Sequence, residues 1–192
     1  AAPRAAGVDD VDFLRRLVEH LARERRADPG RVFVLGYSGG GHMAFRLTLE
    51  APSLIGGAAV FGASLPIEGE SVCEPTGDAA SVLIVNGTRD PVSPWGGGEV
   101  IAPTGVPLGR VRPSAESARY LEERAGGRAV VRLVTIHGGG HAVPGPASRF
   151  PRVAGRTTRS YAGVEEALAF FAGQTRESWI SAIRAFGPAE GP

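Results

Sequence analysis

Residues 32–43 read VFVLGYSGGGHM, and the reading of this stretch decides the fold. Val32, Phe33, Val34 and Leu35 form an unbroken apolar run, the pattern of a strand buried on both faces. The run empties into Gly36-Tyr37-Ser38-Gly39-Gly40, and residues 42–49 then carry the composition of a helix. A strand, a Gly-x-Ser-x-Gly turn and a helix make a nucleophile elbow, in which the serine sits on a strained tip with its hydroxyl exposed. The N-terminus of the following helix stands behind that hydroxyl. Gly36 and Gly40 are expected to remove the side chains that would collide where strand and helix meet. An ordinary glycine-rich turn spells the same five letters; the strand before it and the helix after it favour the elbow.

Outward from this centre, strands and helices alternate. Upstream, residues 8–22 place Val8, Val11, Leu14, Leu17, Val18 and Leu21 on one helical stripe. Asp9 and Asp10 suit the first turn of that helix, and Arg23, Arg25 and Arg26 its last. Asp28-Pro29-Gly30 is a turn, and Pro52 closes the helix that follows Ser38. Residues 57–62 and 81–85 read as buried strands, separated by a loop over 64–80 that is rich in Gly, Pro and Glu. A Gly- and Pro-rich connection over 93–113 leads to a helix over 114–124, closed by Gly126-Gly127. Residues 130–136 form a further strand, 149–160 a polar loop, and 162–172 a last helix. The order predicts an α/β domain over residues 1–173 with a mainly parallel sheet flanked by helices. Residues 174–192, with Trp179, Ile180, Ile183 and Phe186, read as a short amphipathic helix or a loose tail.

Composition excludes several classes of function. With 43% hydrophobic and 21% charged residues, the 192-residue chain is globular and one domain in size. A net charge of +1 with no basic face argues against a nucleic-acid or membrane-surface partner. All 21 basic residues are arginine, a bias that fits genomic base composition better than a phosphate-binding device. Cys73 is the single cysteine, so neither an intrachain disulfide nor a cysteine metal site is available. No apolar run nears the roughly 20 residues that span a bilayer. The first residues, AAPRAAG, lack the apolar centre of a signal peptide.

Three strands deliver reactive side chains at their C-terminal ends, where open α/β sheets place their sites. These are Ser38, Asp90 and His141. A serine hydroxyl is a weak nucleophile until a base takes its proton. His141 can accept that proton and later return it to a leaving group, while Asp90 would hold the imidazole in the right tautomer. Rivals exist for each role. Asp90 precedes a proline and could be a turn former only. His137 ends a strand, whereas His141 follows a triple glycine expected to be flexible enough to carry it to the site. His42 is expected to be a surface or capping residue on the elbow helix. His137 and His141 are four apart, but the glycines between them deny the helix that a zinc pair needs, so no metal and no cofactor is expected. His137-Gly138-Gly139-Gly140 mimics the oxyanion loop of lipases, yet it follows the nucleophile where that loop precedes it.

With these residues in place, the chain resembles the polyhydroxybutyrate depolymerase and feruloyl esterase-like group of α/β-hydrolases, which shades into acetylxylan esterases. The resemblance lies in VDDVDFLRRLV, DPGRVFVLGYSGGGHMAFRL, VLIVNGTRDPVSPWGGG, GGGHAVPG and GRTTRSYAGVEEALAFF, and it covers about residues 8–172. It implies a triad of Ser38, Asp90 and His141 that hydrolyses carboxylic esters through an acyl-enzyme, with the Gly39 N–H as an oxyanion donor. It also implies substrate contacts from Tyr37, Trp95 and Val143. Val143 stands where the group commonly has tryptophan, which leaves polymeric and small aryl esters both open as substrates. By the group's pattern, four strands and a helix, including the loop with a second oxyanion donor, should precede Val8. The chain therefore reads as an α/β-hydrolase fold lacking its first strands, with the strand over 32–35 bared on one side. An edge of that kind invites self-association. An inactive fragment with a binding role is the alternative, and hydrolysis of peptides or lactones a further one. Members of the group are often secreted, which makes secretion the expectation if the full-length protein carries a signal peptide.

Overall fold

The computed structural model describes residues 8–174 apart from Arg25 and Val72. In chain order the elements are α1 (Asp10–Arg23), β1 (Phe33–Tyr37), α2 (Gly39–Glu50), β2 (Gly57–Phe61) and β3 (Val82–Gly87). They continue with β4 (Gly98–Ile101), β5 (Pro107–Val111), α3 (Ser114–Ala125), β6 (Val131–Ile136) and α4 (Gly163–Gly173). β1, β2, β3 and β6 form one parallel sheet in that order, and β4 and β5 pair antiparallel as a separate hairpin.

Period-two alternation along the two central strands divides the interior. Ala58, Val60, Val82 and Ile84 face one side, where Phe45, Leu47 and Leu49 of α2 and Leu121 of α3 cover them. Ala59, Phe61, Leu83 and Val85 face the other, where Ala167, Phe170 and Phe171 of α4 close the layer. Both strands are buried along their whole length, as a parallel sheet sandwiched between helices requires. All four parallel strands point the same way, so the turns after β1, β3 and β6 gather at one end of the sheet.

Three expectations are corrected. The apolar run alone reads β1 as buried on both faces, and Leu35, 44% exposed, corrects that reading; β1 is the edge of the sheet among the described residues, as the resemblance implies for the strand over 32–35. Its apolar run reads like that of a central strand, and burial depends on neighbours the pattern does not carry. α1 starts two residues later than its apolar stripe, because Asp9 caps it, accepting from the N–H groups of Val11 and Asp12 at 3.1 Å. Val8 and Leu17 are exposed, and only Val11 is fully buried. Third, the Gly- and Pro-rich connection contains the hairpin β4–β5, closed by the Ala102 N–H on the Val106 carbonyl at 2.9 Å. Gly105, at φ 83°, supplies the left-handed turn residue. Val92, Val100 and Val111 form a small apolar cluster there. Leu65–Ile67 add a third edge, through Arg112 N–H to Leu65 O at 2.7 Å and Ile67 N–H to Arg110 O at 3.1 Å. The Arg25 assignment and the reading of residues 175–192 lie outside the described residues. No described helix is long and apolar enough to cross a membrane.

On α2, Arg46 forks onto Glu50 at 2.8 and 3.0 Å, and the Glu74 N–H adds a bond of 3.1 Å that ties the loop after β2 to the helix. Burial raises the Glu50 carboxyl, but these donors outweigh it and hold its pKa below the ordinary value. A carboxyl depressed in the folded state stabilises the fold at neutral pH and loses that contribution as pH falls through its folded pKa. Glu50→Gln should therefore lower the urea midpoint at pH 7, and the gap from the parent should close as both are titrated toward about pH 3.

Candidate active site

The elbow forms because β1 and α2 cross at a distance only glycine permits. A Cβ on residue 36 would fall under 3.0 Å from the Gly40 carbonyl and the Gly41 nitrogen. One on residue 41 would stand 2.9 Å from the Ala63 methyl. Gly40 itself differs from expectation: a Cβ there meets nothing within 4 Å, so its carbonyl, not a missing side chain, is what the crossing requires. Ser38, between strand and helix, is the one non-glycine residue with positive φ among the described residues, at φ 53° and ψ −117°. Such a backbone costs about 1–3 kcal/mol and persists only where its surroundings enforce it. Here the Ser38 N–H donates to Phe61 O at 2.9 Å, and its carbonyl accepts from the His42 N–H at 3.1 Å. Serine is a favoured N-cap, yet Ser38 at the N-cap of α2 makes no side-chain cap bond. Its hydroxyl is turned outward instead, 2.9 Å from His141 Nε2.

His141 Nδ1 lies 2.8 Å from Asp90 Oδ2, which completes a chain from Ser38 through imidazole to carboxylate. Asp90 is both turn former and partner. Its Oδ1 accepts from the Val92 and Ser93 N–H groups at 2.8 Å each, fixing the turn after β3, while Oδ2 is left for the imidazole. Three bonds on a nearly inaccessible carboxylate satisfy the charge that its burial would otherwise penalise. The triple glycine is not a flexible tether. Gly139 accepts from the Arg89 N–H at 2.9 Å, Gly138 donates to Thr88 Oγ1 at 2.9 Å, and Gly140 donates to Arg156 O at 2.9 Å. Side chains on Gly139 or Gly140 would strike Ile136 or the 154–156 backbone, so these glycines serve close packing of the loop beside the Asp90 turn.

The remaining sequence candidates fall in distinct places. The Gly39 N–H belongs to the first turn of α2, where N–H groups lack intrahelical acceptors, directly after Ser38. Tyr37 contacts His141 with its hydroxyl, 2.9 Å from the backbone carbonyl, and with its ring, at a centroid distance of 5.1 Å. Trp95 is half-buried; its carbonyl accepts from the Ser114 N–H at 2.9 Å, and its indole Nε1 is buried without a partner among the described residues. Val143 packs against the α4-side core around Phe61 and Phe171. His137 is exposed. His42 is half-buried rather than on the surface, and burial lowers its pKa. Among the described residues, no three His, Cys, Asp or Glu side chains gather as metal ligands.

One group went unnoticed in the sequence. Asn86, at the end of β3, accepts from the Ala63 N–H at 3.2 Å and donates to Ala63 O at 2.8 Å, Ser64 Oγ at 3.2 Å and Ser114 Oγ at 2.9 Å. This buried network locks the loop after β2 and the start of α3 to the strand that carries Asp90. The signal was a lone amide ending the apolar run SVLIV.

No protein-family model matches the chain. It is 32% identical over 200 residues to NocK of Nocardia uniformis subsp. tsuyamanensis, to which an esterase activity is ascribed; the match covers 85% of this chain and 57% of NocK. It is 27% identical over 162 residues to feruloyl esterase B of Piromyces equi, covering 73% of this chain and 30% of that protein. The chain thus spans little more than half the length of the first relative and less than a third of the second. Among solved structures, MGS-M1, an α/β-hydrolase enzyme from a Medee basin deep-sea metagenome library, superposes with a TM-score of 0.58 at 13% identity, covering 85% of this chain and 64% of that one. The chain has an α/β-hydrolase fold, and the two curated proteins it resembles in sequence are named as esterases.

Two substitutions test the crossing. Gly36→Ala should cost about 2 kcal/mol or more through overpacking against backbone, whereas Gly40→Ala should be neutral or stabilise by up to about 1 kcal/mol through helix propensity; urea denaturation of both variants decides. Asp90→Asn keeps an oxygen for the Val92 and Ser93 N–H groups but offers the imidazole the wrong partner. It should leave the denaturation midpoint nearly in place while slowing phosphonylation of Ser38 by a fluorophosphonate about 10⁴-fold.

Proposed function

We propose that this α/β-hydrolase is a serine carboxylic-ester hydrolase that works through an acyl-enzyme on Ser38. The observation that carries the reading is the unbroken chain Ser38 Oγ, His141 Nε2, His141 Nδ1, Asp90 Oδ2, with links of 2.9 and 2.8 Å, mounted on a strained elbow. His141 takes the Ser38 proton as Oγ attacks the ester carbonyl, then delivers it to the departing alcohol. Water then attacks the acyl carbonyl as His141 takes its proton, and His141 returns that proton to Ser38 Oγ as the acid departs. Asp90 holds the imidazole tautomer and stabilises the imidazolium. The Gly39 N–H, next to the nucleophile and at a helix N-terminus, is the oxyanion donor this chain provides. Feruloyl, acetyl and hydroxybutyrate esters are the substrate classes to compare, since pocket shape is not written in the triad.

The free edge of β1 supports a partner for the chain on its own. β1 pairs only with β2 among the described residues, and Leu35 lies exposed on that edge strand. A short apolar edge of this type pairs with a second copy unless a charge or another strand blocks it.

Wild-type protein should be labelled by a fluorophosphonate at Ser38 and should turn over p-nitrophenyl esters. Ser38→Ala should abolish labelling and lower turnover by about 10⁴-fold or more. A folded wild-type chain that takes up no label would sink the esterase reading. Leu35→Lys should shift a self-associating sample toward monomer in size-exclusion chromatography coupled to light scattering.

A further inference from the structure

We propose that Tyr37 is a positioning residue for His141, fixing the base over Ser38 and not serving as a substrate contact. The inference rests on the triad reading above.

His141 hangs at the far side of the loop after β6, and its place over Ser38 depends on what grips its backbone. Its N–H is held by the Ala154 carbonyl at 2.6 Å. Its carbonyl is held by a side chain from another element, the Tyr37 hydroxyl, which donates at 2.9 Å. These two bonds oppose each other across one residue and leave the peptide planes on either side of His141 little freedom to turn. The Tyr37 ring adds a lateral restraint, tilted 45° against the imidazole at 5.1 Å between centroids. Phe150 backs the same ring edge-on at 5.2 Å. Gly62, at φ 60°, fills the third side: a Cβ there would stand 3.1 Å from His141 Nδ1 and 3.4 Å from the Tyr37 ring. The imidazole therefore sits in a slot made by Tyr37, Gly62 and Asp90.

Tyr37 immediately precedes Ser38. The residue that grips the base is thus one peptide bond from the nucleophile, and a shift of the elbow carries both together. Burial and the Asp90 charge raise the Tyr37 pKa, which keeps the hydroxyl protonated as a donor. The one proton of the Tyr37 hydroxyl is already committed to the His141 carbonyl, so Tyr37 has no donor left for a substrate.

Tyr37→Phe removes the bond and keeps the ring. Its kcat for a p-nitrophenyl ester should fall about fivefold, the worth of one neutral hydrogen bond, with KM unchanged. The low-field proton NMR signal of His141 Nδ1–H on Asp90 should shift or broaden in Tyr37→Phe, and Gly62→Ala should displace the same signal. A rise in KM with kcat unchanged would make Tyr37 a substrate contact and overturn the proposal, as would an unaltered low-field signal in Tyr37→Phe. The NMR signal reports the His141–Asp90 pair without turnover. A wild-type protein that shows the signal but takes no fluorophosphonate label would defeat the esterase reading while leaving the positioning role to be decided by the Tyr37→Phe spectrum.

Discussion

The close crossing of β1 over α2 is the constraint on which the rest of the site depends. Residue 36 lies so near the Gly40 carbonyl that no side chain fits, and the chain must turn from strand to helix within Tyr37 and Ser38. That turn forces Ser38 into positive φ, and positive φ is what aims its hydroxyl away from the helix it would otherwise cap. The strain is held by neighbours with little freedom of their own. The Ser38 N–H is bound to the last residue of β2, and that strand is buried throughout between two helical layers. The strained backbone of Ser38 is thus held by packing some distance beneath it, in the Phe61 and Val60 layers.

The partners of Ser38 are positioned by a different means. Asp90 and His141 arrive on the turns after β3 and β6, which are adjacent strands in register from Val82 opposite Val131 to Gly87 opposite Ile136. Adjacent parallel strands deliver adjacent turns, and the bonds between Thr88, Arg89, Gly138 and Gly139 zip those turns together. Asp90 and His141 are therefore one hydrogen-bonded unit, seated against the elbow from the side. Asn86 fastens the same unit to the loop after β2 and to α3. A carboxylate with three donors inside such a unit has no reason to move when the imidazole changes charge.

Much of this was legible in the sequence, and the reasons for the failures are physical. Ser38, Asp90 and His141 were legible as candidates because each stands in the turn after an apolar run, and such turns gather at one end of a parallel sheet. The alternating hairpin at 98–111 was hidden because Gly98, Pro103, Gly105, Pro107 and Gly109 break its period, although those residues are compatible with a short, twisted edge ribbon. The exposure of Leu35 is not written in Val32–Leu35, which has the composition of a central strand; only the resemblance, through the strands it places before Val8, points to a bared edge. The glycines at 138–140 suggested mobility, since sequence cannot distinguish a glycine chosen for freedom from one chosen for its missing Cβ. The resemblance implies a substrate contact from Tyr37, and nothing in the sequence joins its hydroxyl to His141. Its bond to a carbonyl 104 residues away is a tertiary fact.

Among the described residues β1 holds the strained Ser38 backbone from the edge of the sheet, and the packing around it shows how the strand is fastened. Among the described residues, hydrogen bonds of the ladder reach it from β2, at pairs running from Phe33 opposite Gly57 to Tyr37 opposite Phe61. Below the sheet, Val32 and Val34 rest on the α2-side core. Above it, Phe33 stacks on Phe171 of α4 at 4.8 Å, nearly parallel at 19°, which pins the foot of the strand. Tyr37 pins its head through His141 and Phe150. The two aromatic residues lie on the same face, four positions apart, and leave Leu35 between them without a cover. A strand fastened at both ends by aromatic contacts keeps its register even where its middle is open. That is what Ser38 needs from it, because a slip by one residue would put Tyr37 in the turn and Ser38 inside the helix.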